Sequence, residues 1–143
     1  MPTRHVIIVG FGLSGRSVAN SVIGKGVSYV VIELNPATVE RCTPGGLNII
    51  EGDARDAELL RQAGIDRATD IAVTIPDDAA TLDVVEQARR LNPSARIIAR
   101  CTYVSGGMEA ARRGADDTVI AEQVVASEFA RAISAAMESR SCA

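Results

Sequence analysis

One carboxylate and three glycines carry the clearest chemistry in this chain. Gly10-Phe11-Gly12-Leu13-Ser14-Gly15 follows the apolar run Val6–Val9 and leads into a segment of helical spacing, and Glu33 ends the next apolar run, 18 residues past Gly15. Each part suits a dinucleotide or nucleotide ligand. Gly10 permits the tight turn off a strand, Gly12 lets the backbone approach a pyrophosphate, and Gly15 lets helix and sheet pack closely. The free N–H groups at the helix start attract phosphate, and a carboxylate at the position of Glu33 accepts hydrogen bonds from a ribose diol. A 2′-phosphate would be repelled by that carboxylate, so NADP is disfavoured; NAD, NADH, AMP, ADP and ATP share the same adenosine diol. Arg16 falls in the first helical turn, where a cation opposes the helix dipole unless it answers a bound phosphate.

Further candidates fall where other strands should end. In Gly52-Asp53-Ala54, Asp53 is placed either to accept from an adenine amino group or to cap a helix starting near Arg55. Ile75-Pro76 follows the fourth apolar run, and the proline turns the chain out beside the ligand crevice. Asp77 or Asp78 after it is expected as a helix cap. Arg100 ends the fifth run and can meet a phosphate or carboxylate, or form a surface ion pair. Residues for hydride transfer are badly placed. The only histidine, His5, and the only lysine, Lys25, fall at the wrong ends of their elements, Tyr29 opens a strand, and Tyr103 has no lysine four residues on. An oxidoreductase is therefore the rival reading, and no enzyme is expected.

Elements that would position these residues alternate from end to end. Strands are expected at 5–9, 29–33, 47–51, 70–75, 96–100 and 117–120. Helical faces are read at Val18, Ala19, Val22 and Ile23 and again at Leu82, Val85, Ala88 and Leu91. Asn35-Pro36 reads as a cap with proline at the first helical position. This pattern implies an α/β, Rossmann-like, doubly wound sheet of six parallel strands in the order 3-2-1-4-5-6, with right-handed crossovers. From Ala121 to Met137, the residues Val125, Phe129, Ala132, Ile133, Ala136 and Met137 form an apolar stripe at helical spacing.

Composition bounds the rest. A chain of 143 residues fits one domain, and 47% hydrophobic with only 3% aromatic residues describes an aliphatic core between helices. A net charge of −3 gives no reason to expect nucleic acid. No apolar run reaches the roughly 18 residues that read as a membrane span, and none reads as a signal peptide. Cys42, Cys101 and Cys142 are expected as reduced thiols of a cytoplasmic protein, with no metal site.

Taken together, Gly10–Gly15, Glu33-Leu34-Asn35, Gly52-Asp53-Ala54, Leu59–Ile65 and Gly114-Ala115-Asp116 resemble the TrkA-N domain, also called the KTN domain or RCK N-lobe, of bacterial potassium transporters, channels and Kef-type efflux systems. The resemblance spans nearly the whole chain. It implies a cytosolic domain that binds NAD(H) or an adenine nucleotide and forms homodimers or larger rings. It also implies that occupancy is passed to a membrane potassium channel or transporter, in the same chain or as a separate subunit. The residues expected at the nucleotide are Gly10, Phe11, Gly12, Leu13, Ser14, Gly15, Arg16, Glu33, Leu34, Asn35, Asp53, Ala54, Ile75, Pro76 and Arg100. The family's C-terminal lobe and a pore are missing, so the chain is expected either to stand alone as a regulatory subunit or to be part of a larger transporter. A nucleotide-binding oligomerisation module without a transport role is the third reading. The resemblance also places at Glu122 an acidic residue that can help hold a divalent cation between subunits. Here Ala121 replaces the usual preceding proline, and a carboxylate answering the helix dipole is the simpler reading.

Overall fold

The computed structural model describes residues 3–141. Six parallel strands, β1 (His5–Val9), β2 (Ser28–Glu33), β3 (Ile49–Glu51), β4 (Asp70–Val73), β5 (Arg96–Cys101) and β6 (Asp117–Ile120), form one sheet in the order 3-2-1-4-5-6, as the sequence predicts. Helices α1 (Leu13–Val22), α2 (Pro36–Cys42), α3 (Ala57–Gln62), α4 (Asp78–Leu91) and α5 (Val104–Arg113) alternate with the strands, and α6 (Ala121–Ser141) follows β6. Element ends differ from expectation for local reasons. Leu47 and Asn48 lie outside the ladder of β3, although the Asn48 carbonyl still accepts the Val31 N–H. β4 stops at Val73, although the Thr74 N–H still donates to the Val9 carbonyl at 2.9 Å. β2 gains Ser28 and β5 gains Cys101.

Strand alternation separates two unequal faces. Ile7, Val9, Ile32, Ile71, Val73, Ile97 and Ala99 face a large core closed by Leu60 of α3, Val84, Val85 and Ala88 of α4, and Ala110 of α5. Val6, Ile8 and Val31 face a smaller core closed by Ala19 of α1. Ile23, expected on the buried face of α1, is exposed at its C-cap. The second face is covered only over β1, β2 and β3. In register beyond Ile8, Ala72 and Ile98 are half-buried, and Val119 beside Arg100 is exposed.

Helix α6 does not return to that open half. None of its residues is buried, and its main packing partner is β6, the strand that leads into it. Phe129 is 73% exposed and Ile133 61%. Among the described residues no helix is long and apolar enough to cross a membrane. Cys42 is half-buried and Cys101 buried; Cys142 lies outside the described residues.

Candidate functional site

The turn after β1 is fixed by steric necessity. Gly10 has φ +96°, and a Cβ there would sit 2.9 Å from Cγ2 of Ile75. At Gly15 a Cβ would fall 2.0 Å from the Gly10 carbonyl oxygen, so helix α1 can start against the turn only with glycine. Gly12 is different: a Cβ there meets no protein atom within 4 Å, and its φ is −80°. Nothing in the folded chain requires glycine at position 12, whereas a ligand lying on the backbone would.

Glu33 closes the other side. One carboxylate oxygen accepts the Phe11 N–H at 3.0 Å and the other accepts the Asn35 N–H at 2.9 Å. It thereby ties the glycine turn to the start of α2, where Asn35 caps by accepting the Ala37 N–H at 3.0 Å. Each oxygen keeps further acceptor capacity, so the same carboxylate can receive a diol. Arg16 lies over the Phe11 ring, 5.4 Å from its centre, which holds a guanidinium beside the helix start.

These groups border a cavity of about 760 Å³ at the carboxyl ends of the strands. Of the expected residues, Gly10, Phe11, Gly12, Leu13, Arg16, Glu33, Leu34, Asn35, Asp53, Ala54, Ile75 and Pro76 line it. Ser14 and Gly15 stand behind the rim in the first turn of α1 and are not in the lining. Arg100 is also outside. Strand alternation puts it on the sheet face away from Cys101, next to Val119; among the described residues it makes no ion pair, and its Nη1 is buried without a partner. Arg100 thus lies outside the cavity lining and forms no surface ion pair among the described residues.

Asp53 is not the cap of α3. Asp56 takes that role by accepting the Glu58 N–H at 2.9 Å, and the helix starts at Ala57, later than expected. Asp53 accepts the Arg55 N–H and pairs with its guanidinium at 2.7 Å. The Arg55 side chain, opposed by partial burial, holds the Asp53 carboxyl below its ordinary value. Asp77 does cap α4, accepting the Ala80 N–H at 3.1 Å. Glu122 lies in the first turn of α6, and its N–H donates to the Thr102 carbonyl at 3.2 Å. Among the described residues no group of three or more His, Cys, Asp or Glu side chains gathers as a cation site.

The lining also holds residues not foreseen: Thr38 and Arg41 of α2, Arg55, Thr74, and Ala80 and Val84 of α4. Thr38 and Arg41 are three apart on the helix that Glu33 introduces, a spacing that marks a shared face. His5 is buried at the opposite end, with Nδ1 2.9 Å from the Ser28 hydroxyl and Nε2–H donating to the Ala63 carbonyl at 2.8 Å. That ring is a structural tie.

Residues 6–121 match the model of the TrkA-N domain. Among curated relatives, the chain is 29% identical over 123 residues to the putative cation/proton antiporter YbaL of Escherichia coli, covering 86% of this chain and 22% of that protein. It is 35% identical over 100 residues to the glutathione-regulated potassium-efflux system protein KefC of Cronobacter sakazakii, covering 70% of this chain and 16% of that one. The chain thus spans less than a quarter of the length of these relatives. In structure it is similar to the TrkA-N domain of Escherichia coli YbaL, with a TM-score of 0.84, 27% identity, and coverage of 90% of this chain and 96% of that one. It is also similar to GsuK bound to ADP, with a TM-score of 0.79, 30% identity, and coverage of 90% and 33%. For the GsuK channel bound to NAD the values are 0.78, 31%, and 89% and 22%.

Proposed function

The chain belongs to the TrkA-N family, and from that premise we propose that it is a regulatory domain that binds an adenine nucleotide, NAD(H), AMP, ADP or ATP, and controls a potassium channel, transporter or K+/H+ efflux system. The observation that carries this reading is Gly12, a glycine with open space beside it at the mouth of a cavity whose far wall is Glu33. Adenosine lies between Glu33 and the Ile75-Pro76 turn, its ribose hydroxyls on the Glu33 carboxylate and its phosphates over Gly12 and the start of α1, with Arg16 beside them. Three arginines in the lining, Arg16, Arg41 and Arg55, offset the charge of the phosphates.

Its action is binding rather than turnover. His5 and Lys25 stand at the other end of the sheet, so no imidazole or amine is available at the crevice for proton transfer. The cation/proton antiporter and the potassium-efflux protein that it resembles are much longer than this chain, and that likeness supports a place at the cytoplasmic side of a membrane beside such a transporter. Two copies associate through α6, whose apolar stripe and the open half of the sheet are otherwise exposed to water. Mass spectrometry of ligand released from purified protein, followed by calorimetric titration of AMP, ADP, ATP, NAD and NADH, tests the reading. A saturable 1:1 isotherm for at least one of these is expected, and no heat with any of them would contradict it.

A further inference from the structure

One contact outside the cavity is built with more care than packing requires. Asp78, the first residue of α4, accepts the Thr102 N–H on both carboxylate oxygens, at 3.1 and 3.0 Å, and the Thr102 hydroxyl at 3.0 Å. Thr102 is the residue that leaves β5, and its carbonyl accepts the Glu122 N–H in the first turn of α6. The corner is tightly closed. A Cβ at Gly106 would stand 3.0 Å from Asp78 Oδ2, and one at Gly107 only 2.4 Å from Cδ1 of Ile120, the last residue of β6. The start of α5 therefore lies close between the Asp78 carboxylate and the Ile120 side chain of the strand that launches α6.

Upstream, the residues just before Asp78 belong to the cavity. Ile75, Pro76 and Asp77 line it, as does Ala80, whose N–H Asp77 caps. A ligand that repositions the Pro76–Asp77 turn moves Asp78 with it, because both sit on one rigid helix start. Resting on the nucleotide-binding reading above, we propose that Asp78 is a positioning residue that transmits occupancy of the cavity through Thr102 to the first turn of α6. The Asp78 carboxylate shifts, Thr102 follows through three hydrogen bonds, and the Thr102 carbonyl carries the Glu122 N–H. Apart from β6, which runs straight into it, α6 has no buried residue to fix its angle to the domain. A ligand can reorient α6 only by favouring one arrangement of this junction over another.

Hydrogen–deuterium exchange over residues 121–126, with AMP, ADP and NAD each at saturation, tests the link in the wild-type chain, Asp78→Ala, Thr102→Val and Thr102→Ser. The expected result is a ligand-dependent change in exchange at the start of α6 in wild type and Thr102→Ser. That change is lost in Asp78→Ala and reduced in Thr102→Val, while calorimetric affinity in every variant stays within about threefold of wild type. Thermal melts identify any variant that is unfolded, and Thr102→Val, which removes only one hydroxyl bond, then stands in for Asp78→Ala. The proposal is overturned if wild type binds a nucleotide with no change at 121–126, or if folded Asp78→Ala responds as wild type does. If no nucleotide binds wild type, the reading of the cavity falls first and this inference with it.

Discussion

At the scale of single residues, Glu33 has two tasks, and its variants should show both. Its oxygens hold the Phe11 and Asn35 N–H groups, so the carboxylate shapes the glycine turn, and in the proposed function it also receives the ribose. Glu33→Ala should weaken nucleotide binding by roughly 1.5–3 kcal/mol, the range for hydrogen bonds to a charged group. Calorimetry with AMP and NAD checks this, and affinities within about twofold of wild type would remove Glu33 from the site. This residue was legible because strand, glycine turn and acid stand in a fixed order. Asp53 was less so, since Asp53 and Asp56 are both able to cap and only the fold shows that Arg55 claims Asp53. For Arg100, its position at a strand end said nothing about its side of the sheet. The alternation of Ile97, Ala99 and Cys101 into the core assigns Arg100 to the other face.

At the scale of elements, much of what looked like family signature turns out to be structural. Gly52 packs against Leu59, where a Cβ would come within 2.5 Å of its Cδ2. Within Leu59–Ile65, Leu60, Ala63 and Ile65 are buried in the main core. Asp116, after Gly114-Ala115, accepts the Ile97 N–H at 2.8 Å and pairs with Arg89, whose guanidinium also donates to the Gly114 and Ala95 carbonyls. The Ile97 N–H first, then the charge of Arg89, against some burial, keep the Asp116 carboxyl below its ordinary value. A depressed carboxylate stabilises fully above its unfolded pKa, near 3.9 for an ordinary Asp, and loses that contribution as pH falls through its lower folded value. Asp116→Asn should therefore reduce stability at neutral pH and flatten the acid side of the profile below about pH 4. Urea melts from pH 2 to 7 measure it, and a parallel offset at every pH would contradict the assignment. The order of elements was readable throughout, because six apolar runs alternated with helical spacing. Their ends were not, since Thr74–Ile75 and Leu47–Asn48 are apolar or neutral enough to continue a strand, and Thr74 and Asn48 each keep a backbone bond to the neighbouring strand just outside β4 and β3.

At the scale of the whole molecule, the unused surfaces call for a partner. The stripe expected from Val125 to Met137 is present on α6, and it does not cover the domain's own sheet. Sedimentation of the chain at micromolar concentration should show a dimer, and Phe129→Asp should shift it to monomer without lowering the melting temperature of the domain. A monomer for the unmodified chain would leave the stripe for another protein or another segment. The central claim, that the cavity is a nucleotide site, is most directly tested by calorimetric titration of Gly12→Ala beside wild type. An added Cβ at position 12 meets no protein atom within 4 Å, so the variant should melt at the wild-type temperature and yet bind at least about tenfold more weakly, a loss of about 1.4 kcal/mol. Equal affinity for AMP, ADP and NAD in a variant that folds as wild type does would contradict the account.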